Sequence, residues 1–230
     1  MDKVTAIVLL AGRGRRMKSE VPKQFMKAAG REVAAWSLQA FQDFEEITDI
    51  VAVTGAEDID YLKETIIDPY GISKARRIVS GGAERYLSVW EGLKAAEGSD
   101  YVFIHDGARP VVSREILARC MEAVRTYGAC VAAMPVKDTI KIADADGFVA
   151  STPDRRFVWQ IQTPQVFRYE LIYEAHRKLI EEGRSDVTDD ASVLEAESDV
   201  KVKLVEGAYE NIKITTPEDI ETAQRFLISK

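Results

Sequence analysis

The chain has 230 residues, a formal charge of −7 at pH 7, two histidines and two cysteines. Its length suits one large α/β domain with a core that needs no disulfide staples, so Cys120 and Cys130 are expected to be buried thiols. An acidic chain excludes a broad duplex nucleic-acid surface, and the scarcity of histidine excludes a histidine-rich zinc site. No run approaches the length of a membrane span and no signal-peptide cleavage pattern follows the first apolar run, so a cytoplasmic location is expected.

Along the chain, short apolar runs alternate with helical patterns. This alternation predicts an α/β, Rossmann-like fold: a mainly parallel sheet with helices on both faces. The first run, Thr5 to Ala11, reads as a buried strand that empties into a glycine loop. Between Gly12 and Arg31 stand seven Lys or Arg against one acid, Glu20. Gly12 and Gly14 let the backbone approach an anion closely, and Arg13, Arg15, Arg16 and Lys23 supply charge around it. That pattern suits a triphosphate. It is not a dinucleotide fingerprint, because Met17 stands where the third glycine would be, and no Gly-Lys-Ser or Gly-Lys-Thr makes it a Walker loop.

Further strands are predicted at Asp49 to Thr54, Arg77 to Val79 and Tyr101 to His105. A helix over Glu84 to Ala96 places Leu87, Trp90 and Leu93 on one stripe. A second, over Ser113 to Tyr127, does the same with Ile116, Leu117, Cys120 and Val124 behind Ser113 as N-cap. Ala129 to Val136 reads as the next strand. Lys137 to Pro153 then breaks the rhythm, and its alternation around Asp144-Ala-Asp146-Gly147 predicts a β-hairpin arm. Such an arm has exposed edges, and a second copy of the chain could cover them, so a homodimer through residues 137–153 is expected. Leu171 to Ile180 form an apolar stripe with His176 on or beside it. Lys201 to Val205 read as a strand, and the last helix opens at Thr216-Pro217-Glu218-Asp219 with Thr216 as its cap.

In an open parallel sheet, ligands bind beyond the carboxyl ends of the strands. Gly12, Gly81-Gly82, Asp106 and Lys137 to Lys141 each follow such an end, so they are expected on one rim. Arg16 and Lys23 are the candidates for stabilising charge at a reacting phosphate. Gly81, Gly82 and Ser88 could make a flat pocket for a base, and Arg85 either orders that loop or is a surface arginine. Asp106 either ligates Mg²⁺ together with substrate phosphates or caps a turn.

Taken together, the motifs resemble one family. Leu10-Ala-Gly-x-Gly-x-Arg16-Met17 with Pro22-Lys23-Gln24 resembles the signature of sugar-phosphate nucleotidyltransferases. Gly81-Gly82-x-x-Arg85-x-x-Ser88-Val89, His105-Asp106-Gly107-Ala108-Arg109-Pro110, Pro135 to Lys141, Asp154-Arg155 with Thr163-Pro164-Gln165, and Asn211-Ile212-Lys213 follow in order. They narrow the resemblance to the 2-C-methyl-D-erythritol 4-phosphate cytidylyltransferase family. The resemblance implies a single nucleotidyltransferase domain over residues 1–230 with 137–153 as a β-arm, dimerisation through that arm, and transfer of CMP from CTP to the methylerythritol phosphate with Mg²⁺. It places Leu10, Ala11, Gly12, Gly14, Gly81, Gly82, Ser88 and Asp106 on the nucleotide. It places Asp106, Arg109, Thr139, Arg155, Thr163 and Lys213 on the acceptor, with Thr139 and Arg155 reaching a partner's site. Glu210 stands where many relatives have Asp, as a possible second metal or water contact. Two alternatives stay open: a ribitol-5-phosphate cytidylyltransferase, and a catalytically silent nucleotide-binding protein on the same fold.

Overall fold

The computed structural model describes residues 2–12 and 21–229. In chain order they form β1 (Val4–Leu9), the short pair β2 (Lys27–Ala28) and β3 (Arg31–Glu32), α1 (Val33–Gln42), β4 (Asp49–Thr54), α2 (Ile59–Tyr61) running into a π-helical stretch Leu62–Ile67, and β5 (Arg77–Ser80). Then come α3 (Arg85–Ala95), β6 (Tyr101–Asp106), α4 (Arg114–Tyr127), β7 (Ala129–Pro135), the arm strands β8 (Ile142–Ala143) and β9 (Val149–Ser151), and β10 (Trp159–Arg168). The chain ends with α5 (Tyr169–Glu181), α6 (Asp190–Glu197), β11 (Lys203–Glu206) and α7 (Pro217–Ile228).

Seven strands make the central sheet in the order β11-β7-β10-β6-β1-β4-β5. All neighbours pair in parallel except β10, which runs antiparallel to both β6 and β7. The expected mainly parallel sheet is therefore present. Its inner strands β1, β4, β6 and β7 are mostly apolar because both faces are covered. On β1, Val4, Ala6 and Val8 pack with Leu38 and Phe41 of α1 and Leu117 of α4, whereas Ile7 packs with Val89 and Leu93 of α3 and Ile172 of α5. Helix boundaries follow local chemistry. The Ser113 side chain accepts from the Ile116 N–H at the start of α4, and the Asp219 carboxylate accepts from the Thr216 N–H at the start of α7.

The sequence pattern does not predict β10. Gln160, Gln162, Gln165 and Pro164 interrupt its apolar positions, yet Gln162 and Gln165 are buried and hydrogen-bonded. Pro164 lies where the pairing with β7 shifts register between Ile161 and Gln165, so its missing N–H breaks no regular ladder bond.

The arm is a two-stranded antiparallel sheet of its own. Asp144 accepts from the N–H groups of Asp146 and Phe148 at 3.0 and 2.9 Å, and Gly147 turns the chain at φ +86°. Ile142, Phe148 and Val149 are 52, 73 and 61% exposed, an apolar group that a lone chain leaves in water.

Candidate active site

One side of the site is built where β1 and β5 end. The Leu10 N–H donates to the Val53 carbonyl at 2.6 Å, and the buried Gln24 donates to the Leu10 carbonyl at 2.5 Å. These bonds pin the departure and return of the basic loop, whose Gly14 and Arg16 lie outside the described residues. Leu10 is buried with both backbone groups engaged, so it supports the cleft instead of lining it. Across the cleft, the Gly81 N–H donates to the Thr54 carbonyl and the Gly82 N–H to Ser88 Oγ. A methyl on Gly81 would stand 2.7 Å from both Ala11 Cβ and Ser88 Oγ, so only glycine lets the two loops approach this closely.

Between the loops lies a cavity of about 1210 Å³, lined among others by Ala11, Gly12, Lys23, Gly82, Asp106 and Lys213. Lys23 opens a short 3₁₀ turn behind Pro22, and its ammonium donates to the Ile214 carbonyl at 2.8 Å. That bond brings it beside the segment carrying Lys213.

Asp106 is the last residue of β6 and is 8% exposed. Its Oδ1 accepts from Arg85 Nε at 3.1 Å and its Oδ2 from Lys213 Nζ at 2.7 Å. Burial alone would raise its pKa, but Arg85, Lys213 and Arg109 outweigh burial and hold the carboxyl well below the usual range. It is an anion at any working pH. Arg109 donates to the Asn211 carbonyl at 2.7 Å. Burial lowers its pKa, with Asp106 opposing and Arg85 adding to the fall.

Thr163 and His105 hold Asp106 from the backbone side. Thr163 Oγ1 accepts from the Asp106 N–H at 3.0 Å and lies 3.0 Å from His105 Nδ1, while His105 Nε2 lies 3.2 Å from the Arg109 carbonyl. A carbonyl can only accept, so the neutral ring carries its proton on Nε2 and takes the Thr163 proton on Nδ1. His105 is buried, and burial pushes its pKa down to about 4, against a smaller opposing effect of Asp106. The unfolded chain therefore binds more protons than the folded one between about pH 6.5 and 4, and stability falls as pH is lowered through that window. The loss should be about 3 kcal/mol when the window has been crossed. Asp106 acts below it, where acid removes the stability that its lowered pKa supplies. Urea midpoints at pH 7 and 5 are expected to differ less in His105→Gln than in the wild type. An equal difference would assign the acid sensitivity to other groups.

The structure gathers Ala11, Gly12, Lys23, Gly81, Gly82, Ser88, Asp106 and Lys213 on one cleft. Other candidates are placed differently. Thr163 is 4% exposed with its hydroxyl committed to Asp106 and His105, so it positions Asp106. Thr139 and Arg155 are exposed at the base of the arm, where Arg155 donates to the Lys137 carbonyl, and neither lines the cleft. Glu210 is exposed and away from the cleft lining, so it does not join Asp106 as a second carboxylate. Among the described residues no group of three or more His, Cys, Asp or Glu could hold a metal by itself. Arg85 neither orders the glycine loop nor lies on open surface. It spans Asp106 and, through Nη2 at 2.8 Å, the buried Asp190. Asp190 carries no signal in the sequence beyond that of a helix-opening acid.

A glycine-lined cleft at the carboxyl ends of parallel strands, with lysines around one aspartate, is the site of an α/β nucleotidyltransferase. Residues 4–229 match the family model of 2-C-methyl-D-erythritol 4-phosphate cytidylyltransferase, and the chain belongs to that family. It is similar to the enzyme of that name from Lachnospira eligens, with 50% identity over 97% of this chain and 98% of the relative. It is also similar to the one from Caldanaerobacter subterraneus, with 47% identity over 97% and 98%. The crystal structure of 4-diphosphocytidyl-2C-methyl-D-erythritol synthase from Anaerococcus prevotii superposes with a TM-score of 0.87 at 39% identity, covering 99% of this chain and 96% of the other. The cytidylyltransferase structure from Thermus thermophilus gives 0.78 at 30% identity, over 99% and 100%.

Proposed function

We propose that this chain catalyses the reaction its family is named for: transfer of CMP from CTP to 2-C-methyl-D-erythritol 4-phosphate, with release of pyrophosphate. The observation that carries the reading is the placement of Lys23, Asp106 and Lys213 on one cleft between two glycine loops. An acceptor phosphate oxygen attacks the α-phosphorus, and the bond to pyrophosphate breaks with its electron pair leaving on that group. Such a transfer asks the protein chiefly for alignment and for cations where charge gathers. Lys23 and Arg16 meet the charge at the α-phosphate and leaving oxygens. Lys213 and Arg109 hold the acceptor.

Asp106 fits one divalent ion shared with the triphosphate. It is a hard oxygen donor facing the cleft, and a carboxylate bonded to two cations keeps further lone pairs. Mg²⁺, when bound, would neutralise charge on the phosphate oxygens. Asp106→Asn keeps the shape and removes the anion, so the Mg²⁺ concentration for half-maximal rate is expected to rise and the maximal rate to fall. An unchanged Mg²⁺ titration would leave Asp106 as an acceptor or loop-holding residue.

The arm's exposed apolar residues support a homodimer through residues 137–153, with Thr139 and Arg155 completing the partner's site. No helix among the described residues is long and apolar enough to cross a membrane, and the cysteines are free and buried, which supports work in the cytoplasm. The deciding experiment is pyrophosphate release with Mg²⁺ and CTP against methylerythritol 4-phosphate, ribitol 5-phosphate and hexose 1-phosphates. The first is expected to give the highest kcat/KM, with UTP and ATP substituting poorly. Preference for ribitol 5-phosphate would overturn the acceptor, and no release with any acceptor would leave a silent nucleotide-binding protein.

A further inference from the structure

We propose that Asp190 is a positioning residue for the transfer and that it acts through Arg85 on Asp106. Asp190 does not line the nucleotide cleft. It is 1% exposed, and its Oδ2 accepts from Arg85 Nη2 at 2.8 Å. The same guanidinium donates through Nε to Asp106 Oδ1 at 3.1 Å. One planar, rigid fork is thus fixed at both ends by carboxylates from opposite parts of the chain.

Three features argue that this arrangement serves position. Arg85 opens α3, where a cation faces the positive end of the helix dipole, so the helix itself gains nothing from it. Asp190 is a costly buried anion, and buried ion pairs are weak contributors to stability that an apolar pair can often replace. The second oxygen of Asp190 has no hydrogen-bond partner among the described residues. It faces His176 Nε2 at 3.5 Å, so Arg85 leads in answering its charge and His176 comes second. The frame behind the fork is also tied to the site by a single strand. Thr163 of β10 holds the Asp106 N–H. Two residues on, Gln165 accepts from the Ala191 N–H and donates to Asp189, fixing the start of α6 on which Asp190 stands. Asp106 and its remote counter-anion are referenced to the same backbone.

A displacement of about 1 Å at a reacting centre can cost on the order of 10²-fold in rate. The inference rests on the reading that Asp106 serves the reaction, so Asp106→Asn is assayed alongside. Asp190→Asn should lower kcat by roughly 10- to 100-fold per active site, counted by CTP titration, with the KM for the acceptor within about twofold. Asp190→Glu, which keeps the anion one methylene further out, should recover part of that loss. In an Arg85→Lys background Asp190→Asn should add little, because the two substitutions break one unit. Ser113→Ala removes the N-cap of α4 away from the fork, and should lower Tm by a few degrees while leaving kcat near the wild type. If Asp190→Asn does not fold, Asp190→Glu is read alone against wild type, and a kcat unchanged from wild type would overturn the proposal. So would a normal kcat in folded Asp190→Asn, or losses that multiply in the double variant. An inactive Asp106→Asn beside a fully active Asp190→Asn would remove only the positioning role, whereas a fully active Asp106→Asn would remove both readings.

Discussion

Lys23→Ala is expected to lower kcat by about 10²- to 10³-fold, the usual effect of removing one preorganised donor that meets charge in a transition state. The side chain stands at the start of a short 3₁₀ turn, anchored to the Ile214 carbonyl at 2.8 Å, so its ammonium is placed before substrate arrives. Loss of that bond should cost about 1 to 3 kcal/mol, a Tm change of a few degrees in a domain of this size. The ratio of the two effects is the diagnostic. A variant that melts a few degrees lower with nearly normal kcat would make Lys23 a tether between the basic loop and the segment before α7.

Two inactive proteins should regain activity on mixing if the arm completes the partner's site. Arg155 lies at the base of the arm and outside the cleft that holds Lys23, so in a dimer of the proposed kind the two residues would serve one site from different subunits. In a heterodimer of Lys23→Ala and Arg155→Ala, one site then receives both defects and the other neither. Random exchange of equal amounts makes half the dimers mixed, so activity should return to about one quarter of the wild-type value per site. If both residues serve the same subunit, every site keeps one defect and nothing is regained. Native mass spectrometry of tagged chains confirms that exchange took place, and exchange without recovery would reject the shared site.

The rim was readable because its signals are local. A glycine loop, a cluster of like charges or an acid after an apolar run announces itself within a few residues, and the sheet brings those segments to one edge. What stayed hidden depends on partners distant in the chain. Arg85 and Asp190 are 105 residues apart, and nothing near either one says that they meet. β10 was hidden for a related reason. Buried glutamines look like surface residues until the groups that satisfy them, the Ala208 carbonyl and the Asp189 carboxylate, are in place. The resemblance places Thr163 on the acceptor, but the direction of its hydroxyl is set by the register of β10, which a motif cannot supply. Leu10 shows the converse: it belongs to the motif and contributes only support.

The position of β10 also bears on how the molecule is made. Strands β1, β4, β5 and β6 are contiguous in the sheet and complete once residue 106 has been synthesised, so they can assemble as the chain emerges. β7 cannot join them, because its place in the sheet is held only through β10, which is made later. Until Arg168 has left the ribosome, β6 presents a bare edge and β7 waits beside it, both apolar and both ready to pair with a neighbouring nascent chain. The strand that holds the Asp106 N–H is therefore also the one that closes the window for misassembly.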